Sequence, residues 1–152
     1  MTTIINGAAD LQGYIGKHLG YSDWKEITQE RVNQFAEATG DFQWIHVDVE
    51  RAKAGPFGGP IAHGFLTLSM APALLKDVWQ INGIKMGVNY GLNKVRFPSP
   101  VPVGAKVRAG ATLKEVTEVS GGAQQLVIEA TFEVEGGDKP ACVAELVLRY
   151  YF

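Results

Sequence analysis

The chain has a single cysteine, Cys142, among 152 residues. That excludes an internal disulfide and removes the usual thiolate set of a structural zinc site. No run of about 18 apolar residues occurs, so no membrane-spanning helix is expected. The opening stretch, MTTIINGAADLQGY, lacks a basic segment followed by an apolar core, and a secretory leader is not expected either. Basic residues are not in excess: 14 Lys and Arg against 16 Asp and Glu leave a net charge of −2, which offers nothing to a nucleic-acid backbone. GxGxxG, phosphate-loop and GxSxG patterns are missing. A reducing cytoplasm is the expected location.

What is present suits a packed core. Apolar residues make up 46% of the chain and charged ones 20%, a balance that supports one domain over residues 1–152. Residues 28–38, TQERVNQFAEA, predict a helix. Thr28 can cap it, Val32, Phe35 and Ala36 share a face, and Gly40 can stop it. Asp48 reads as the cap of a short helical piece, VERAKA, which the cluster GPFGGP ends. Residues 64–79, GFLTLSMAPALLKDVW, are apolar nearly all round. Such a helix is expected to be buried on every side, with a kink where Pro72 cannot donate to the carbonyl of Leu68.

The C-terminal half changes period. Val107, Ala109, Ala111 and Leu113 alternate with polar residues, as do Leu126, Ile128, Ala130 and Phe132, and then Cys142, Ala144, Leu146 and Leu148. These are period-2 strands with one buried face. Gly121-Gly122 and Gly136-Gly137-Asp138 supply turns. Residues 84–97 predict a further strand in which Gly87 and Gly91 mark bends or bulges. An apolar helix followed by four antiparallel strands is an α+β architecture, in the order of the hotdog fold.

Two ionisable groups stand out on the loop TGDFQWIHVD: Asp41 and His46, five positions apart with Trp44 and Ile45 between them. Each alone has a plain reading, Asp41 as a turn residue and His46 as a half-buried imidazole. Together, at a helix end in apolar surroundings, they form a pair suited to moving protons. His63 and Gly64 open the apolar helix. The first N–H groups of a helix lack internal partners, so that of Gly64 could hold an oxyanion, although Gly64 could equally serve packing alone. His18, His46 and His63 do not have zinc-site spacing, so no metal is expected. Lys94 and Arg96 read as a solvated strand face, with the phosphates of a long cofactor-like substrate as the alternative.

The stretch ATGDFQWIHVD at 38–48, followed at 60–69 by PIAHGFLTLS, resembles the MaoC-like dehydratases. That family includes the (R)-specific enoyl-CoA hydratases and the actinobacterial 3-hydroxyacyl-thioester dehydratases. The stretch GLNKVRFPSPVPVG at 91–104 is similar to the strand that follows the helix in these proteins. The resemblance implies a hotdog homodimer whose two sheets join edge to edge. It implies Asp41 and His46 as the catalytic pair, the backbone N–H of Gly64 as oxyanion donor, and His63 and Gln43 as substrate-binding residues. It also implies an acyl thioester substrate on coenzyme A or acyl carrier protein, no cofactor, and reversible hydration of a trans-2-enoyl-CoA to the (3R)-hydroxyacyl-CoA. An acyl-CoA thioesterase and a non-catalytic acyl-thioester binder are the alternatives on the same fold. Two departures from the family pattern bear on the pocket. Phe42-Gln43-Trp44 stands where x-Asn-Pro is usual, and Pro72 stands where the hydratases have a serine.

Overall fold

The computed structural model describes all 152 residues. In chain order the elements are β1 (Thr3–Ile5), α1 (Ala8–Leu11), β2 (His18–Tyr21), β3 (Lys25–Glu26), α2 (Gln29–Thr39), α3 (Trp44–Val47), α4 (Val49–Lys53), α5 (Gly64–Ser69), α6 (Ala71–Leu75), β4 (Trp79–Ile81), β5 (Met86–Arg96), β6 (Lys106–Val119), β7 (Ala123–Val134) and β8 (Cys142–Tyr151). The main sheet runs β2-β6-β7-β8-β5, with β3 also on β6, and its pairings are antiparallel. It curls around α5 and α6, as expected for a hotdog fold.

The alternation read from the sequence places the inner face of the sheet. Val107, Ala109, Ala111, Leu113, Leu126, Ile128, Ala130, Phe132, Cys142 and Ala144 are all buried. Ala111 pairs with Ala130, and Ala130 with Ala144. This row of methyl groups across three strands leaves room for the helix to approach, and larger residues flank it. Burial pushes the Cys142 thiol up to about 11, so it is an inert small hydrophobe, as anticipated. Gly121, Gly122 and Gly136 have φ of 82°, 74° and 78°, the left-handed backbone that the two hairpin turns need.

The central helix departs from expectation in three respects. It ends at Leu75, short of residue 79, because Val78 and β4 are taken up by the N-terminus. Thr3 N–H bonds to the Val78 carbonyl at 2.9 Å, and β1 runs parallel to β4. The break also falls earlier than Pro72. Met70 has ψ of −4°, and α6 restarts beyond it with Pro72 in the first turn, where a missing N–H costs nothing. Finally, the helix is not covered all round. Leu66, Thr67, Met70, Ala71, Leu74 and Leu75 are buried, whereas Phe65, Ser69, Pro72 and Ala73 form an exposed flank.

Ser69 and Pro72 of that flank face β5, the sheet edge. β5 pairs only with β8, and nearly every residue along it is exposed. A register shift between Asn89 and Gly91 bears out the bulge expected at Gly91. Gly87 keeps register, and its role is close approach instead. A Cβ there would meet the Tyr150 ring at 2.8 Å.

Candidate active site

α2 delivers Asp41 to the site. Thr28 caps its start by accepting from Arg31 N–H at 3.1 Å, and Gly40, at φ 84°, turns the chain sharply at its end. Asp41 follows with its carboxylate exposed, and Oδ1 accepts from Gln43 N–H at 3.3 Å. Asp41 is thus a turn residue and a member of the site at once. The chain then forms α3, a single helical turn not foreseen in this loop, which carries His46 inward to 6% exposure.

Segment 60–62 forms the back wall. Ala62 N–H bonds to Val101 O at 2.8 Å and Ile61 N–H to Ile45 O at 3.0 Å. The Ile61 carbonyl lies 2.7 Å from His46 Nδ1. A carbonyl can only accept, so Nδ1 carries the proton and Nε2 of the neutral ring keeps its lone pair. Burial lowers the His46 pKa below its ordinary 6.5, followed by a weaker lowering from His63. The hydrogen bond to Ile61 and the nearby Asp41 act in the opposite sense. The ring is therefore neutral at pH 7 and free to accept a proton through Nε2.

Two neighbours of this site escaped the sequence reading. Gln29, in the first turn of α2, donates from Nε2 to the His46 carbonyl at 2.8 Å. Phe35, on the inward face of the same helix, packs on the His63 ring with centroids 4.9 Å apart. Gln29 sits next to a capping threonine and reads there as an ordinary first-turn residue. Only its long-range bond marks it.

The structure brings Asp41, His46 and His63 together, with one ligand-type atom of each within 4.8 Å of the others. His63 does not lie where a substrate contact was expected. Its ring is 2% exposed, stacked on His46 at 3.9 Å with the planes 24° apart. Its Nε2 donates to the backbone carbonyl of Asp41 at 3.0 Å. Its ring is therefore packed against His46 and its Nε2–H is engaged by the chain itself. The trio is a poor metal cradle. Imidazole lone pairs lie in the ring plane, so two stacked rings send them side by side and cannot converge on one ion at about 2.0–2.1 Å. Two of the four ring nitrogens are moreover engaged by carbonyls.

Gln43 precedes α3 with its side chain exposed and without a capping bond. Trp44, whose bulk put the pocket in question, turns toward α4. Arg51 lies over its ring at 4.3 Å, and the opposite constraint comes from Gly55, where a Cβ would meet the indole at 3.0 Å. Gly64 opens α5, and its N–H has no acceptor within the chain. The Phe97 ring sits against it, so close that a Cβ would lie 3.1 Å from the ring.

One helical turn beyond Gly64 a cleft of about 700 Å³ opens between the exposed helix flank and the β5–β8 edge. Leu68, Pro72, Leu75, Val88, Leu92 and Leu146 are among its mostly apolar lining. Pro72 thus presents a carbon surface where a serine had been looked for. Ser69 Oγ, one of the nearby hydroxyls, is spent on the Phe65 carbonyl at 2.6 Å. The catalytic candidates do not line this cleft. Lys94 and Arg96 are exposed on β5, with Lys94 opposite Glu145.

Known proteins match this arrangement in sequence and in fold. The family model described as MaoC like domain matches residues 10–135. The 3-hydroxyacyl-thioester dehydratase Z of Mycobacterium tuberculosis (strain ATCC 25618 / H37Rv) is 57% identical over 142 residues, which covers 93% of this chain and 94% of that protein. Nodulation protein N of Rhizobium leguminosarum bv. viciae is 45% identical over 143 residues, with 91% and 88% covered. Among solved structures, the (R)-hydratase from A. caviae involved in PHA biosynthesis has a TM-score of 0.72 at 26% identity, covering 88% of this chain and 94% of that one. With its sheet-wrapped helix, its paired Asp41 and His46 and these matches, the chain belongs to the MaoC-like family of hotdog proteins.

Proposed function

We propose that this protein is a hydro-lyase that reversibly hydrates trans-2-enoyl-CoA to (3R)-hydroxyacyl-CoA in fatty acid metabolism, the whole chain 1–152 acting as one catalytic domain. One observation carries the chemistry. A carboxylate oxygen of Asp41 lies within 4.8 Å of a ring nitrogen of His46, a neutral ring whose proton is held on Nδ1 by Ile61. A water between them can give one hydrogen bond to each.

The water loses a proton to His46 Nε2 as its oxygen adds to Cβ. The π electrons of the Cα–Cβ bond move to make an enolate, whose oxygen takes the free N–H of Gly64. Removing such a donor typically costs about 3 kcal/mol of transition-state stabilisation. The proton then passes from the imidazolium to Cα and the thioester carbonyl re-forms. Asp41 orients the water and offsets the positive charge on the ring. Both new bonds form on the side of the alkene that faces the pair, so addition is syn. Run backwards, the same steps dehydrate the 3-hydroxyacyl thioester.

The acyl tail fits the apolar cleft beside Pro72 and Leu75. Gln43, exposed before α3, is the residue assigned to the polar part of a thioester on coenzyme A or acyl carrier protein. A homodimer is part of the reading. β5 leaves an open edge with Met86, Val88, Tyr90 and Leu92 exposed, and a second copy pairing there would cover it. No helix is long and apolar enough to cross a membrane. With one buried thiol, that fits a cytoplasmic enzyme.

Crotonyl-CoA and longer trans-2-enoyl-CoAs test the reading. Loss of the enoyl absorbance without free thiol, yielding the 3R alcohol, is the expected result. Thiol release with the double bond retained would make the protein a thioesterase, and no reaction at any chain length on either carrier would make it a binder.

A further inference from the structure

His63 has three properties that packing alone does not account for. It is buried to 2% exposure, yet its Nδ1 has no hydrogen-bond partner. Its Nε2 donates to the Asp41 backbone carbonyl at 3.0 Å. Its ring lies flat against that of His46, centroids 3.9 Å apart, and Phe35 packs on it as well. A phenyl ring would fill the same space without leaving a buried polar atom unsatisfied, which is a cost a protein ordinarily avoids. The imidazole does something that phenyl cannot: it offers an in-plane donor from a ring that also stacks.

We infer that His63 is a positioning residue for the catalytic pair, one buried side chain that sets the Asp41 loop through its Nε2–H and the plane of His46 through its face. The inference rests on the hydratase reading and adds to it how the pair is held. Asp41 is exposed on a turn after a helix end, where little else restrains it; its carboxylate bond to Gln43 N–H is long, at 3.3 Å. The Nε2–H of His63 ties the backbone of that turn to the start of α5. His46 is held on two further sides, by Ile61 at Nδ1 and by Gln29 at its carbonyl. Stacking supplies the remaining constraint, on ring tilt. Reaction geometry is sensitive at this scale, since a misplacement of about 1 Å can cost about 10²-fold in rate.

The ionisable groups that bear on His46 are His63 and Asp41. A proton on His63 opposes one on His46, and Asp41 favours it. The stacked pair cannot comfortably hold two positive charges, so replacing His63 should also move the titration of His46.

Two variants separate the roles. His63→Phe keeps the ring and loses the donor. His63→Gln keeps an N–H at a similar reach and loses the ring. With wild-type protein turning over enoyl-CoA in the same assay, His63→Phe should lower kcat about tenfold or more with KM within about twofold, and His63→Gln should recover part of the loss. In an Asp41→Asn background the effect of His63→Phe should shrink, because the residue acts through Asp41. A folded His63→Phe with wild-type kcat, or a loss that persists in full beside Asp41→Asn, overturns the inference; if His63→Phe does not fold, the same cycle is run with His63→Met, which also lacks the donor, and read the same way. Should the wild-type protein itself be inactive, the hydratase reading fails separately, and the His46 imidazole titration followed by NMR decides. Movement toward 6.5 in the folded His63 variant sustains the coupling, and an unchanged titration overturns it.

Discussion

The imidazole of His46 donates through Nδ1 to the carbonyl oxygen of Ile61 at 2.7 Å. This bond joins the loop that carries the catalytic candidates to the segment that leads into the central helix. It fixes which nitrogen is left to accept a proton, and the consequences for pH are direct. Burial holds the His46 pKa below 6.5 in the folded protein, so as pH falls the unfolded chain takes the proton first. The stability contributed by the neutral ring is complete above pH 6.5 and is lost on acidification through the window below it. The acid limb of kcat/KM should accordingly fall below pH 6.5. Stopped assays from pH 4.5 to 8, with thermal melts over the same range, measure both effects, and an acid limb centred above 6.5 would contradict them.

Asp41→Asn and His46→Gln should each lower kcat by about 10² or more while leaving the fold intact, the usual cost of removing an acid/base group. Asp41 is exposed, so its substitution should scarcely move the melting temperature. His46→Gln removes a buried ring and its bond to Ile61, and should cost about 1–3 kcal/mol of stability as well. Circular dichroism melts beside kcat values check the contrast. Wild-type turnover in either folded variant would remove that residue from the mechanism.

Gly64→Ala should harm activity more than stability. Alanine suits a helix start, but its methyl group would press on the Phe97 ring at 3.1–3.2 Å. The start of α5 must shift by a few tenths of an ångström where the ring does not give way, and the Gly64 N–H moves with it. A loss in kcat of about tenfold is expected from displacing a donor this way. Phe97→Leu, which thins the obstructing ring, should restore part of it. Equal loss with and without Phe97→Leu would place the cause elsewhere.

Sedimentation at micromolar concentration should give the mass of a dimer. Val88→Lys puts a charge on the exposed edge strand, and a two-fold interface would receive it twice. The dimer dissociation constant should rise at least about tenfold, with activity falling in step if the second copy completes the acyl cleft. A wild-type monomer at all concentrations would be decisive against this assembly.

Local chemistry wrote much of this protein plainly into its sequence. Thr28 and Gly40 bound α2 because a cap and a left-handed glycine act within a turn of themselves. β6, β7 and β8 are legible because one buried face imposes a period of two on each strand. The pairing of Asp41 with His46 was readable for a similar reason, since five residues of one loop bring them together. Only tertiary structure decided the rest. The central helix stops at Leu75 because Val78 and Trp79 pair with an N-terminal strand remote in sequence. One flank of that helix stays open because the edge strand β5 lies across a cleft from it, which all-round apolarity does not reveal. His63 and Gln29 look like ordinary neighbours of a glycine and a cap. Their meaning comes from a stacked ring and a carbonyl supplied by another segment, and a one-dimensional pattern carries no record of which distant backbone atoms a side chain will meet.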